Sequence, residues 1–448
     1  MEKINVGLLG CGTVGTGVAK ILIENRELIA SRVGAELVLK RIADIDIKKE
    51  RGIVFDDGVF IKDAREIVSD PEIDIIVEMI GGKGIAKELI LEAIENDKQV
   101  VTANKALIAD HGNTLIKTAE AKGVDLAFEA SVGGCIPIVK TIRESLVGDR
   151  IRSMTGILNG TCNYILTKID DDGSTFKEAL EQAQAIGFAE ADPTLDIEGY
   201  DTAHKLAIIS SLAYGMEINL EDIYIEGISR ISSIDIECAK EFGFKIKLFA
   251  ISKNRGGTVE ARVHPAMISF DNLVSSVNGS MNAVEITGDA VGSMVLYGHG
   301  AGMMPTAGAV VSDIVDVARN LLSHVTGRIP ILSCRSDKIR NIPVLPIDEI
   351  HTYYYFRFSV LDRAGVLAKI AGILGAYSIS LKYVNQKGLR SNGSITIVMF
   401  THLAKEADVK KALSEISALD VVTDIPVLIR IEDDLEEEEE AKKEERCI

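Results

Sequence analysis

The sequence predicts an α/β protein that starts with a doubly wound parallel sheet, continues into an α+β region and ends in a small ferredoxin-like domain. Short apolar segments alternate with helix-like segments over the first 128 residues. Such alternation favours parallel strands, because each crossover needs a helix to cover one face of the sheet. The pattern changes near Pro137, and a proline cluster at 330–346 precedes a last segment of strands and helices.

The first part reads as repeated strand and helix units. Residues 4–10 form an apolar run that ends in glycine, and residues 14–29 carry helix-like apolar spacing. Four further apolar runs predict strands at 36–43, 73–80, 100–102 and 124–128.

The later parts follow different patterns. Amphipathic stretches at 138–146 and 176–186 flank a strand-like piece at 154–158, and residues 306–322 predict a further helix. Beyond the proline cluster, six segments read as strand, helix, strand, strand, helix, strand, the ferredoxin-like order. These segments are 353–361, 365–374, 379–385, 394–400, 405–416 and 427–431.

Composition excludes several classes of protein. The 448 residues are 47% hydrophobic and 26% charged, as in globular proteins of several domains. The net charge of −18 argues against a nucleic-acid partner. We expect no membrane partner and a cytoplasmic location, because there is no bilayer-length apolar run and no signal-peptide pattern at the start. Six scattered cysteines suggest neither disulfides nor a CxxC metal site.

The C-terminal segment 432–448 is strongly acidic. It holds ten acidic and three basic residues, including five consecutive glutamates at 436–440. Such a charge run predicts a solvated, disordered tail.

A glycine-rich motif between the first strand and helix predicts a dinucleotide site of Rossmann type. Residues 10–15 read Gly-Cys-Gly-Thr-Val-Gly, which matches G-x-G-x-x-G in the required context. The glycines permit a tight turn, backbone approach to a pyrophosphate, and close helix–strand packing. The expected cofactor-binding residues of this turn are Gly10, Gly12, Thr13, Val14 and Gly15.

The end of the second strand bears on the choice between NAD and NADP. Asp44 stands where an acid accepts hydrogen bonds from ribose hydroxyls and disfavours a 2′-phosphate, which favours NAD. Basic residues stand close by, however, and such a cluster suits a 2′-phosphate. They are Arg41, Lys48, Lys49 and Arg51. Both cofactors therefore stay open.

Further ionisable residues point to a catalytic cleft. Thr102 and Lys105 follow a strand at the sheet edge where ligands of open α/β sheets bind. Asp201 and Lys205 are four residues apart on a predicted helix, where an ordinary surface ion pair is the simpler interpretation.

Taken together, these motifs resemble the homoserine dehydrogenase family over nearly all of the chain through Leu322. The segments that carry the resemblance are 10–15, 102–105, 128–134, 156–161, 187–193, 201–205, 300–302 and 305–306. The resemblance implies reversible NAD(P)-dependent oxidation of L-homoserine to L-aspartate 4-semialdehyde, on the route to threonine, methionine and isoleucine. It also implies a homodimer or homotetramer.

The resemblance also implies roles for individual residues. Lys205 becomes the general acid/base, and Lys105 lies at the nicotinamide and substrate end of the cleft. An ammonium both stabilises and protonates the oxygen that gains charge during carbonyl reduction. The carboxylates expected at the substrate are those of Glu190, Asp196 and Asp201.

Two more sets of residues come from the resemblance alone. Gly187 and Gly302 match glycines that approach the cofactor. A monovalent cation site, usually for sodium, is implied at the Glu129 carboxylate and at the backbone carbonyls of Val132, Gly134 and Ile136.

The segment at 351–431, which precedes the acidic tail, resembles an ACT domain, with residues 361–367 as its strand-to-helix turn. Such domains commonly bind an amino acid, and the implied effector is threonine, acting by feedback inhibition. The expected division is therefore a Rossmann-like domain at 1–133 plus 303–328, a substrate-binding and dimerisation domain at 134–302, a linker at 329–350, and the ACT domain at 351–431.

Two alternatives remain open. An aspartate-semialdehyde dehydrogenase-like enzyme needs a thiolate nucleophile, and Cys135 is the candidate near the predicted cleft. A non-catalytic nucleotide and amino-acid sensor also fits the glycine loop and the ACT domain, but it leaves the cluster from Glu190 to Lys205 unexplained.

Overall fold

The computed structural model describes residues 2–389 and 394–432. Its first sheet has six strands in the order β3-β2-β1-β4-β5-β6, and every pair is parallel. The strands are β1 Lys3–Leu9, β2 Glu36–Ala43, β3 Phe60–Ile61, β4 Ile75–Glu78, β5 Gln99–Thr102 and β6 Leu126–Ala127. The helices are α1 Thr13–Glu24, α2 Arg26–Val33, α3 Ala64–Val68, α4 Ile85–Glu95 and α5 Lys105–Lys122. The predicted doubly wound fold is confirmed.

The helix-like stretch predicted at 14–29 is two helices. The chain breaks at Asn25, whose backbone leaves the helical region. The predicted amphipathic stretch at 138–146 also differs, because its α-helix spans only Ile138–Lys140 and Thr141–Ser145 forms a π-helical turn.

The middle of the chain builds a second, mostly antiparallel sheet with helices on it. Its strands are β7 Ile151–Ile157, β8 Tyr224–Ile225, β9 Phe244–Asn254, β10 Val259–Ser269, β11 Met281–Gly288 and β12 Gly292–His299. Its helices are α6 Ile138–Lys140, α7 Gly160–Asp172, α8 Phe176–Ala185, α9 Thr194–Ile197, α10 Tyr200–Tyr214 and α11 Ser233–Glu241. The sequence analysis assigned only β7 among these strands.

Helix α12 (Met303–Leu322) returns to the first sheet and packs against α1. The two helices meet closely at Gly17, where an added Cβ would lie 2.9 Å from the Ala307 Cβ. The strand that precedes α12 belongs to the second sheet, so residues 300–302 connect the two units at one edge of the cleft.

The last segment has the predicted ferredoxin-like order. Its elements are β13 His351–Leu361, α13 Val366–Ala376, β14 Leu381–Leu389, β15 Ser394–Thr401, β16 Ala404–Lys405, α14 Glu406–Ser417 and β17 Val427–Ile431. Strand β17 pairs in parallel with β10, so the sheet of this segment continues the second sheet. Two ion pairs also cross this junction, from Arg357 to Asp235 at 2.6 Å and from Arg430 to Glu226 at 2.8 Å.

Residues 329–350, expected as a linker, run along the second unit with backbone hydrogen bonds. Val259 donates to the Pro343 carbonyl at 3.0 Å and accepts from Leu345 at 2.8 Å. Arg340 donates to the Gly215 carbonyl at 3.0 Å. This segment is therefore attached along its length.

Glu432 was assigned to the solvated tail, but its side chain is only 7% exposed. Its carboxylate pairs with Arg262 and, at 3.0 Å, with Lys253, and its backbone N–H donates to Met267. Arg262 is itself buried and needs this compensating charge. The rest of the predicted tail, 433–448, lies outside the described residues. No helix of the described ranges is both long and apolar enough to cross a membrane.

Candidate active site

The glycine turn has the geometry that dinucleotide binding needs. Gly10 has φ +92°, and a Cβ there would lie 2.8 Å from the Met79 backbone. A Cβ at Gly15 would lie 2.2 Å from the Gly10 carbonyl oxygen, so α1 packs directly on the turn. Gly12, by contrast, faces open space at the start of α1. The turn thus leaves room for a phosphate beside free helical N–H groups.

Asp44 is bound to the turn itself. Its carboxylate accepts from the Cys11 N–H at 2.7 Å and from the Asp46 N–H at 2.9 Å, and it lies 3.2 Å from Arg51. Burial opposes ionisation, but these N–H donors and Arg51 hold the pKa of Asp44 below its usual value. Arg51 also donates to the Cys11 carbonyl at 2.9 Å, so this member of the basic cluster has a structural role.

The ends of β4 and β5 are tied together by a residue that the sequence analysis missed. Glu78 is fully buried and accepts from the N–H groups of Ile80 and Gly81 and, at 2.7 Å, from the Thr102 hydroxyl. Thr102 in turn accepts from the Asn104 N–H at 3.0 Å. This network fixes the loops at the carboxyl ends of the strands, where Lys105 begins α5.

Two lysines converge on one carboxylate in the cleft. Lys205 Nζ donates to Asp201 Oδ2 at 2.7 Å and to the Leu158 carbonyl at 2.6 Å. Lys105 Nζ lies 2.7 Å from Asp201 Oδ1. Asp201 and Lys205 are both buried, so the simple interpretation of a surface ion pair is wrong.

Asn159, which was not assigned a role, holds this cluster in place. Its Nδ2 donates to Asp196 at 2.7 Å and to Asp201 at 2.9 Å. Its Oδ1 accepts from the Cys162 N–H at 2.8 Å and thereby caps α7. One amide therefore joins α7, α9 and α10.

Burial and charge shift the pKa values of the cluster. Burial, helped by Lys105, lowers the pKa of Lys205, although Asp201 acts in the opposite direction. Asp201 raises the pKa of Lys105 against the effect of burial. Burial alone would raise the pKa of Asp201, but the two lysines hold it well below its usual range. Burial raises the pKa of Asp196, although Asn159 opposes this.

A cleft of about 670 Å³ brings these groups together with some of the other predicted residues. Those that do not line it are Gly10, Gly12, Thr13, Gly15, Asp44, Thr102, Glu129, Val132 and Ile136. Predicted residues that line it are Val14, Lys105, Gly134, Gly187, Glu190, Asp196, Asp201, Lys205 and Gly302. Gly160 and Thr161, at the start of α7, line it as well. A groove of about 760 Å³ lies elsewhere, but its residues Arg150 and Arg152 are largely exposed.

The expected cation ligands lie on one turn beside the cleft. Glu129 is buried, and its carboxylate accepts from the N–H groups of Val139 and Lys140 at 3.0 and 2.7 Å. Burial and the neighbouring Asp313 raise the pKa of Glu129 to about 7. A buried carboxylate of this kind fits a compensating cation. Within 2–389 and 394–432, no group of three or more His, Cys, Asp or Glu side chains suits a metal ion, so backbone carbonyls would complete such a site.

Fold and site together define a dinucleotide-dependent oxidoreductase with a C-terminal ACT domain, and three family models match the chain. They are described as "Homoserine dehydrogenase, NAD binding domain" at 10–129, "Homoserine dehydrogenase" at 137–315 and "ACT domain" at 354–421. A curated homoserine dehydrogenase from Neisseria gonorrhoeae is 44% identical over 96% of this chain and 99% of the relative. The chain belongs to the homoserine dehydrogenase family.

Solved structures agree with this assignment. A homoserine dehydrogenase from Thiobacillus denitrificans has a TM-score of 0.91 and 44% identity, over 97% of this chain and 99% of that one. A hyperthermophilic archaeal homoserine dehydrogenase mutant, solved in complex with NADPH, has a TM-score of 0.60 and 28% identity over 70% of this chain and 97% of that one. Family membership favours the dehydrogenase over the thiol-enzyme and sensor alternatives.

Proposed function

We propose that this cleft oxidises L-homoserine to L-aspartate 4-semialdehyde, and catalyses the reverse reduction, with Lys205 as general acid/base. The observation that carries the proposal is the bridge from Asp201 to both Lys105 and Lys205 at 2.7 Å in the cleft. A buried lysine with a lowered pKa is suited to accept a proton from the substrate hydroxyl and to return it to the carbonyl oxygen.

The nicotinamide, when bound, accepts the hydride from the alcohol carbon. Lys205 takes the hydroxyl proton as that carbon is oxidised, and the Lys105 ammonium stabilises negative charge on the same oxygen. The Leu158 carbonyl and Asp201 fix the position of Lys205 Nζ by accepting its hydrogen bonds. Proton transfer then occurs at a defined and buried atom.

The three acidic residues are proposed to hold the substrate ammonium. Glu190 is exposed at the cleft, whereas Asp196 and Asp201 lie deeper and are tied by Asn159. Carboxylates are the strong partners of an ammonium group. The free N–H groups at the start of α7 offer a position for the opposite end of an amino acid.

The cofactor is an NAD(P) nucleotide, and its proposed binding residues lie along the edge of the first sheet and at two glycines, Gly187 and Gly302, that line the cleft. They are Gly10, Gly12, Thr13, Val14, Gly15, Asp44, Thr102, Lys105, Gly187 and Gly302. Support comes from the open space at Gly12 and from the closely packed helix behind it. Asp44 favours NAD, while the exposed Lys48 and Lys49 suit a 2′-phosphate, so the proposal covers both cofactors.

A structural sodium or other monovalent cation is proposed at Glu129 with the carbonyls of Val132, Gly134 and Ile136. We also propose the division expected from the sequence, with the nucleotide domain at 1–133 plus 303–328, the substrate domain at 134–302 and the ACT domain at 351–431. A homodimer or homotetramer in the cytoplasm completes the proposal.

Threonine is proposed as the effector of the ACT domain. The ion pairs of Arg357 and Arg430 link this domain to α11 and to Glu226. Two residues beyond Glu226, the Ile228 N–H donates to the Ile197 carbonyl at 2.8 Å, next to Asp196. These ion pairs and this hydrogen bond connect the ACT domain to the substrate side of the cleft, so a movement of the domain can be transmitted to it.

The test is the initial rate of NAD and NADP reduction by the full chain with L-homoserine, together with the affinity for each cofactor. Turnover with either cofactor supports the proposal, and the ratio of the two rates decides the preference. Binding of both cofactors without reduction of either contradicts it and supports a sensor.

A further inference from the structure

Asn282 is a buried amide in the cleft that has no role in the proposed reaction. It lies on β11 opposite Gly298 of β12, and its side chain is 1% exposed. Neither its Nδ2 nor its Oδ1 has a hydrogen-bond partner among the residues that the structure describes. Buried amide groups are almost always paired in native proteins, so this orphaned pair needs an explanation.

Two glycines, Gly160 and Gly300, lie close to the side-chain amide of Asn282 and leave room for it. A Cβ on Gly300 would lie 2.0 Å from Nδ2, and a Cβ on Gly160 would lie 3.6 Å from Oδ1. The amide is therefore held between the start of α7 and the segment that enters α12. All three residues line the cleft, so a ligand bound there can supply the missing partners.

We propose that Asn282 is a cofactor-binding residue that pairs with the carboxamide of the nicotinamide ring. This inference rests on the proposed function. A carboxamide offers a neutral donor and a neutral acceptor side by side, which matches the two orphaned atoms. The groups of an amino-acid substrate match less well, because its ammonium only donates and its carboxylate and aldehyde only accept. The homoserine hydroxyl can do both, but it is placed at Lys205 in the proposed reaction.

The position of Asn282 also favours the cofactor. Gly300 leads through Gly302 into α12, and α12 packs against α1, the helix of the dinucleotide turn. Val14 of that turn and Thr306 of α12 line the same cleft. Asn282 thus lies beside the segment that joins the cleft to the nucleotide domain.

The first test uses the wild-type chain. Affinities are measured by calorimetry for NAD(P)⁺ and for its 3-acetylpyridine analogue, in which a methyl group replaces the carboxamide nitrogen. Loss of one hydrogen bond and an unpaired Oδ1 predict about tenfold weaker binding of the analogue. Equal affinity for the two overturns the inference without any variant.

The second test uses Asn282→Leu, which has a similar volume. Removing two unpaired polar atoms predicts an unchanged or higher Tm for the free protein. Affinity for NAD(P)⁺ should fall about 10- to 100-fold, and discrimination against the analogue should shrink at least threefold. Failure to fold, or a marked fall in Tm, shows that the amide has a structural partner and contradicts the inference.

Asn113→Leu is the matched control, because its amide is paired with the backbone of Ile218 at 2.9 and 3.0 Å. It should lower the Tm and leave the discrimination unchanged. Unchanged discrimination in Asn282→Leu, or a loss confined to the KM for homoserine, overturns the inference. A wild type that binds neither NAD nor NADP contradicts the proposed function instead.

Discussion

Lys205 Nζ donates to Asp201 Oδ2 at 2.7 Å across one turn of a buried helix. The spacing of four residues is common on protein surfaces, where such a pair contributes only a few tenths of a kcal/mol. Here, however, Asp201 and Lys205 are both buried. Desolvation lowers the pKa of Lys205 while Asp201 opposes that shift. The proposed function assigns this pair the control of a proton.

The pH dependence of homoserine oxidation should move in opposite directions in two variants. Oxidation needs neutral Lys205, so the rate rises with pH through the pKa of this residue. Asp201 raises that pKa and Lys105 lowers it. Asp201→Asn should therefore shift the rising limb to lower pH, and Lys105→Gln should shift it to higher pH. Normalised initial-rate profiles measure both, and shifts of the same sign would contradict the account.

Asn159 should act on catalysis separately from its role as a helix cap. Asn159→Ser keeps a capping oxygen but loses the amide N–H donors that reach Asp196 and Asp201, so kcat/KM should fall about 10- to 100-fold with little change in stability. Asn159→Ala also loses the cap and should cost about 1 kcal/mol in unfolding free energy. Steady-state kinetics and thermal unfolding separate the effects. An Asn159→Ser variant with wild-type kinetics would refute this role.

An added methyl group should weaken only cofactor binding at Gly12, but both stability and cofactor binding at Gly15. Gly12→Ala meets nothing within 4 Å in the free protein, so the Tm should stay within a few degrees while NAD(P) affinity falls at least tenfold. Gly15→Ala places a Cβ 2.2 Å from the Gly10 oxygen and should lower both the Tm and the affinity. Calorimetry and thermal scans decide, and unchanged affinity in Gly12→Ala would be inconsistent with the proposed phosphate position.

Glu432 should stabilise the junction between the second sheet and the ACT domain. Arg262 and Lys253 hold its pKa well below the usual value, against the effect of burial. A lowered folded-state pKa stabilises above the unfolded pKa of about 4.3, and this contribution is lost as pH falls. Glu432→Gln should therefore cost about 3 to 5 kcal/mol at pH 7, and less below pH 4. Urea unfolding measures this, with exposed Glu95→Gln as control; a constant difference at all pH values would argue against it.

Threonine should inhibit the wild-type enzyme through the ACT domain. A coupling of about 1 to 3 kcal/mol corresponds to a change of about 5- to 150-fold in apparent substrate affinity. Initial rates in millimolar threonine, with calorimetric binding in parallel, measure this coupling. Unchanged rates together with no binding heat would eliminate the effector role.

Local patterns in the sequence predicted much of the fold. The order of strands and helices in the first and last units follows from apolar periodicity and from glycine turns that interrupt it. The sequence analysis did not predict the long strands β9 to β12, although one of them, β11, carries Asn282. Most residues of β9 and β10 are buried on both faces, so strict alternation is weak in these two strands.

The candidate site was predictable where a residue type and its position together indicate a role. Lys105, Asp201 and Lys205 were proposed for one cleft and do meet there. Glu78 and Asn159 were missed because the partners that tie them to the cleft come from distant segments, Thr102 for Glu78 and Asp196 and Asp201 for Asn159. The spacing in a single sequence contains no information on such contacts. Asp44 was predicted as a site residue, but its bonds to Cys11 and Arg51 were not, because they depend on how two loops fold together.

The most direct test of the account is amine rescue of Lys205→Ala. Truncation of the general acid/base predicts a loss of about 10² to 10⁴ in kcat with cofactor affinity nearly unchanged. The Tm should fall, because the buried pair with Asp201 is lost. Small primary amines added to the assay should restore the rate in proportion to their concentration and with a dependence on amine pKa. Turnover of Lys205→Ala within a few-fold of wild type would contradict the claim that Lys205 transfers the proton.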